Sequence, residues 1–316
     1  MRFPFTGVVS VDKPEGVSSR RVVDGVARAV AMRAVGHAGT LDPIASGVVV
    51  VCVGHATKLI DFLHTLPKRY VGRFLLGRSS PSDDTELPVE LEACPVQPSR
   101  EAIEQALQAF RGPIMQRPCD YSAVHVDGKR AYALARKGRA VEIADKPVTI
   151  HRLELLEYDW PRLVLDVECS TGTYIRAIGR DLAAALGTKA VMDGLIRTAV
   201  GPFHKQEAIP LDEILHTSSA AEVPLQPALA AVAHLPAVAL NPEQIEHIAR
   251  GGILDPAVVP PHHLRRDTAS STGTAAITDT ASSDAVAATD DRGMLVGMLR
   301  PHRAGWRMRP NFLGRS

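Results

Sequence analysis

Twelve residues near the start of the chain constrain its fold more than any other stretch: Gly36-His37-Ala38-Gly39-Thr40-Leu41-Asp42-Pro43-Ile44-Ala45-Ser46-Gly47. Three glycines and a proline in so short a span demand special backbone angles. An unbroken apolar run, Val48-Val49-Val50-Val51-Cys52-Val53, follows at once and reads as a buried strand. A tight loop anchored on a buried strand holds a side chain in a fixed place. The acid in this loop is Asp42, with His37 before it and Lys58 further on. Asp42 is therefore the candidate catalytic group.

The surrounding chain punctuates itself into short strands and helices. Gly7 to Asp12 reads as a strand ended by the turn Lys13-Pro14-Glu15-Gly16, and Ser18 or Ser19 caps a helix with Val22, Val23, Val26, Ala27 and Val30 on one face. Thr57 to Leu66 reads as a short helix and Lys68 to Gly77 as a strand. Residues 79 to 98 are polar with four prolines and read as an exposed loop. Helices are expected from Ser99, over Arg130 to Lys137, and over Tyr174 to Leu186, with a strand over Leu163 to Cys169. The order lacks a regular βαβ alternation, so the expected class is α+β with a mixed or antiparallel sheet.

From about Leu235 the texture changes. Asn241-Pro242-Glu243-Gln244 has the form of a capping box with proline at the first helical position. Residues 267 to 291 are mostly Thr, Ser, Ala, Asp and Gly without aromatics, and are expected to be a disordered insertion. Residues 292 to 316 carry six arginines and no acid. The expected division is a catalytic domain over 1 to 234 and a small β-rich module over 235 to 316.

Several function classes are excluded or disfavoured. The formal net charge is +1, so a polyanion must be met by local basic patches rather than a global field. Cys52, Cys94, Cys119 and Cys169 show no C-x-x-C spacing and the twelve histidines no H-x-x-x-H, which disfavours a metal site, the His262-His263 pair included. The apolar run at Val48 is far short of the ~20 residues of a spanning helix. A soluble, cytoplasmic protein without metal is expected.

An Asp before Pro also serves simply to cap a turn. A nucleophilic carboxylate must stay ionised out of water, and a neighbouring arginine lowers such a pKa by about 1 to 3 units. Arg176, in the first turn of its helix, is the candidate partner, although it reads equally as a surface arginine. Tyr70, beside Lys68 and Arg69, is either a core aromatic or a platform for a stacked base, worth about 1 to 3 kcal/mol. Lys129, Arg130, Arg136, Lys137 and Arg139 form a cationic cluster suited to phosphates or simply a solvated face.

These residues resemble a known family. Gly36-His37-x-Gly39-Thr40-Leu41-Asp42-Pro43-x-Ala45-x-Gly47 followed by Gly54-x-Ala56-Thr57-Lys58-Leu59 is similar to the signature of the TruB-type tRNA pseudouridine synthases. So are Asp12-Lys13-Pro14-x-Gly16-x-Ser18-Ser19, Lys68-x-Tyr70, Tyr121-Ser122-Ala123, Gly172-Thr173-Tyr174-Ile175-Arg176 and Leu195-x-Arg197, in the same order over residues 7 to 203. The C-terminal module resembles the PUA-like RNA-binding domain that such enzymes often carry. The resemblance implies a pseudouridine-synthase fold and conversion of uridine 55 in the tRNA T-loop to pseudouridine without cofactor or metal.

By the same resemblance, Asp42 matches the catalytic aspartate, Arg176 the arginine paired with it, and Tyr70 the tyrosine stacked on the flipped base. His37 matches a T-loop contact, Tyr174 and Leu195 match pocket residues, and Lys58 is placed with the substrate-binding set. The implied partner is the T-arm of tRNA, met by a monomer that requires no protein partner and no membrane. The chain departs from the family at Ala38, where Thr is common, at Cys119, where Pro stands, and at His125, in place of Lys. The competing readings are a tRNA-binding or RNA-folding protein without catalysis, a guide-RNA-dependent synthase, and an aspartate hydrolase; the neutral total disfavours the second and the lack of a second acid the third.

Overall fold

The computed structural model describes residues 4–92, 97–122, 124–126, 128–135, 142–260 and 284–312. Its framework is a ten-stranded mixed sheet. Across it run Ile209–Pro210, Gly7–Lys13, Ala45–Val53, Ala190–Val200, Lys68–Leu76, Arg162–Cys169, Lys146–Asp159 and Gly112–Gln116. Val35–His37 adds to Ala45–Val53, and Phe203–His204 to Ala190–Val200. Ala45–Val53 pairs parallel to Ala190–Val200 and antiparallel to Gly7–Lys13.

The valine run is uninterrupted because both faces of this strand are buried. Val49, Val51 and Val53 join one core with Val9, Val11, Val22, Val26, Phe74 and Leu195. Val48, Val50 and Cys52 face a second core with Leu59, Phe62, Leu63 and Val232. Helix Ser19–Ala29 is capped by Ser18, whose hydroxyl accepts from the Arg21 amide, and buries Val22, Val23 and Val26. Helix Ile175–Ala185 buries Ile175, Ile178 and Leu182 against the same sheet.

The C-terminal part forms its own four-stranded sheet in the order Ala237–Ala239, Val286–Thr289, Leu295–His302, Gly305–Asn311. Helix Pro242–Ala249 carries the full capping box of Asn241 and Gln244. The disordered insertion expected over 267 to 291 is corrected at its end. Val286–Thr289 is a buried strand between two neighbours, so alanine-rich composition there serves close packing rather than disorder. The rest of that expectation, through 283, and the His262-His263 pair lie outside the described residues, as do Cys94, Arg136, Lys137 and Arg139. The exposed loop expected over 79 to 98 also needs correction, because Ser82 and Asp84 are buried. Among the described residues no helix is long and apolar enough to cross a membrane.

Candidate active site

Asp42 sits where three backbone-gripping side chains converge. Ser19, freed from capping by Ser18, accepts from the Leu41 amide at 2.8 Å and donates to the Leu41 carbonyl at 2.9 Å. Beyond Asp42, the Gly16 amide donates to the Pro43 carbonyl at 2.7 Å, with the Lys13 ammonium 3.5 Å away. Arg197, 1% exposed, reaches across from the central strand and donates to the carbonyls of Val48 (2.7 Å), Thr40 (3.2 Å) and Gly39 (3.1 Å). The loop is thus clamped on both sides of its acid. Gly47 is required by this closeness: its φ is +106°, and a Cβ would lie 2.2 Å from the Arg197 carbonyl oxygen.

Arg176 meets Asp42 as expected. It enters from the first turn of helix Ile175–Ala185, 7% exposed, and its Nη2 donates to Asp42 Oδ2 at 3.2 Å and to the Tyr121 carbonyl at 3.1 Å. Its Nη1 donates to Asp84 Oδ2 and to the Ser82 carbonyl, both at 2.9 Å. Burial opposes the Arg176 charge, but Asp42 and the other neighbouring negative groups outweigh it and raise its pKa. Asp42 keeps 43% of its side chain exposed, whereas Asp84 keeps 1%. One carboxylate is therefore available to a ligand and the other is committed to the arginine.

These groups line a cavity of about 500 Å³. Asp42, Tyr70, Tyr174, Arg176 and Leu195 all border it, so five of the seven expected site residues are brought together. Half-buried Tyr70 has its phenol pKa raised by burial, with Arg197 pulling it back. Arg130 and Tyr132 stand at the exposed wall. His37 and Lys58 do not border the cavity. His37 is half-buried, with its pKa lowered by burial and then by Arg197. Lys58 is exposed and donates instead to the Asn311 carbonyl of the small sheet at 3.1 Å.

The two cations beside Tyr70 are both engaged within the chain. Lys68 is buried, donating to the carbonyls of His64 and Leu66 at 2.7 Å and to Thr171 Oγ1 at 2.5 Å, and burial pulls its pKa down to about 8. Arg69 forks onto Asp166 at 2.9 and 2.6 Å. Sequence reasoning missed Asp84, which carries no local signal beyond polarity. It noticed Lys13, Ser19 and Arg197 as motif members but not as the clamp on the loop.

The arrangement offers a half-exposed carboxylate paired with a buried arginine, both bordering a cavity of about 500 Å³ that an aromatic ring also lines. Comparison with known proteins agrees with that chemistry. Residues 27–175 match the family model described as TruB family pseudouridylate synthase, N terminal domain. The chain is 39% identical over 252 residues to the tRNA pseudouridine synthase B of Gluconacetobacter diazotrophicus, covering 78% of this chain and 82% of that one. It is 38% identical to the protein of that name in Corynebacterium diphtheriae, covering 81% and 89%. In fold it is similar to a chain in the crystal structure of a Cbf5-Nop10-Gar1 complex, with a TM-score of 0.69, 23% identity, and coverage of 98% of this chain and 85% of that one. The chain belongs to the TruB family of pseudouridylate synthases.

Proposed function

We propose that this chain converts uridine 55 in the T-loop of tRNA to pseudouridine, with Asp42 as nucleophile. The observation that carries the reading is the Asp42–Arg176 pair at 3.2 Å, open on its Asp42 side to the cavity that Tyr70 borders. The target base leaves its stack at a cost of a few kcal/mol and is held in the cavity by stacking on Tyr70 and contact with Tyr174 and Leu195. The Asp42 carboxylate forms a covalent bond to the nucleotide, at base or sugar, while the bond from C1′ to N1 breaks. The base turns, C5 bonds to C1′, the C5 proton leaves, N1 takes up a proton and the carboxylate is released. The reaction is an isomerisation and balances without an oxidant, a reductant or a cofactor.

His37 and Lys58, outside the cavity, belong in this reading to the surface that meets the T-arm. Residues 1–234 serve as the catalytic domain and 235–316 as a PUA-like RNA-binding module. The enzyme works as a cytoplasmic monomer without a protein partner, and its binding weakens with salt as phosphate contacts are lost.

Release of tritium from tRNA labelled at uridine C5 tests the reading. Wild type is expected to release it, and Asp42→Asn to bind tRNA without release; a T-loop transcript with the target uridine replaced stays silent. Turnover by Asp42→Asn would remove Asp42 from the mechanism.

A further inference from the structure

Gln116 ends an edge strand of the large sheet, Gly112–Gln116, which among the described residues pairs only with Lys146–Asp159. It is nonetheless 1% exposed. Its carboxamide engages both backbone groups of one residue: Nε2 donates to the Tyr174 carbonyl at 3.1 Å, and Oε1 accepts from the Tyr174 amide at 2.8 Å. A buried amide needs both halves bonded, and here one residue satisfies both. Tyr174 is the N-cap of helix Ile175–Ala185, with no side-chain cap of its own. Directly opposite Gln116 in the ladder stands Lys146, whose ammonium lies 4.4 Å from the centroid of the Tyr174 ring. The cross-strand pair thus holds the backbone and one ring face of a residue that borders the cavity.

Two residues beyond Tyr174 is Arg176, and after Gln116 the chain leaves the sheet to become the cavity wall, where the Tyr121 carbonyl also accepts from Arg176. Gln116 is therefore the junction between the wall and the helix that delivers the arginine to Asp42. We propose that Gln116 is a positioning residue of the reaction, acting through Tyr174 on the pocket and on Arg176. The inference rests on reading this cavity as the uridine site. A misplacement of about 1 Å remote from the reacting atoms can lower a rate on the order of 100-fold, so the loss should fall on the chemical step rather than on tRNA affinity.

The test uses Gln116→Leu and Gln116→Glu in the full chain. The Glu carboxylate still accepts from the Tyr174 amide but turns a lone pair on the Tyr174 carbonyl; once protonated, its O–H donates there and both bonds return. Burial favours the neutral carboxyl, so recovery comes as pH falls. Single-turnover tritium release at saturating tRNA, tRNA affinity and Tm are measured between about pH 8 and 5.5, each relative to wild type at the same pH. Gln116→Leu is expected to be slower by at least about tenfold throughout, with affinity within about twofold. Gln116→Glu should be as slow at pH 8 and regain rate relative to wild type on acidification, without a matching gain in Tm. A wild-type rate in either variant, a flat Gln116→Glu ratio, a loss confined to affinity, or a rate that tracks Tm would each overturn the proposal. If Gln116→Leu fails to fold, the Gln116→Glu profile decides alone. Absence of release by wild type would instead sink the reading of the cavity itself.

Discussion

Four acceptors meet the Arg176 guanidinium: two carbonyls, Asp42 and Asp84, with the Asp84 contact the shorter of the two ionic ones, 2.9 against 3.2 Å. Asp84 also accepts from the Ser82 hydroxyl and the Glu86 amide, so contacts other than Arg176 hold it in place. It therefore orients the arginine that in turn faces Asp42. Replacing Asp84 by Asn removes the buried carboxylate of the two that pair with Arg176. Such a break is worth ~3 kcal/mol, to be read as a lowered denaturation midpoint, with tritium release slower by about tenfold or more. A variant with wild-type rate and midpoint would remove Asp84 from the support of the site. That Asp42, Tyr70 and Arg176 share one cavity was legible because their motifs are long. Asp84 was not, since Ser82-Asp83-Asp84 among prolines has the composition of any exposed turn. His37 and Lys58 were placed with the substrate contacts by the family resemblance; neither borders the cavity, and Lys58 donates to a carbonyl of the small sheet.

The strand Ala45–Val53 is the element on which the site depends, because it carries the Asp42 loop at its start and divides two cores along its length. Its apolar run made it plain from sequence. Lys146–Asp159, the longest strand at 14 residues, was missed for a physical reason. Its pairing with Arg162–Cys169 shifts register between Ile150 and Arg152 and again between Leu155 and Glu157, so no single period-2 alternation runs through it. Where the loop meets the central strand, Gly47 faces both Lys13 and Arg197 in the ladder. Gly47→Ala must relieve a 2.2 Å approach to the Arg197 carbonyl at a φ that alanine disfavours. A stability loss on the order of 3 kcal/mol is expected, together with loss of tritium release, because Arg197 grips the same loop. Unchanged melting and turnover would mean that the two strands separate there without consequence.

At the scale of the whole molecule, the small sheet is not an appendage. Its two faces enter different cores: Val286, Ala288 and Leu299 pack with Trp306 and Ile248 under helix Pro242–Ala249. Ala285, Ala287 and Met298 point the other way, into the core that Phe62, Leu63 and the outer face of Ala45–Val53 form. The Arg300 guanidinium lies 5.2 Å from the Phe62 ring centroid, and the His55 and Phe312 rings stack at 5.7 Å. A shared core of this kind couples the unfolding of both parts. The chain holds two tryptophans, and each reports one of them: Trp160 packs on the core of the large sheet, while Trp306 is buried in the small one. With Trp160→Phe and Trp306→Phe each leaving a single reporter, the two denaturant transitions are expected to coincide as one cooperative event. Met298→Ala, which opens the shared core, should cost about 2 to 5 kcal/mol and lower both midpoints together, although its side chain belongs to the small sheet. If the Trp306 transition comes first and the Trp160 transition keeps its midpoint, the sheets unfold independently, and the C-terminal module would have to act on RNA without bracing the strand that carries Asp42.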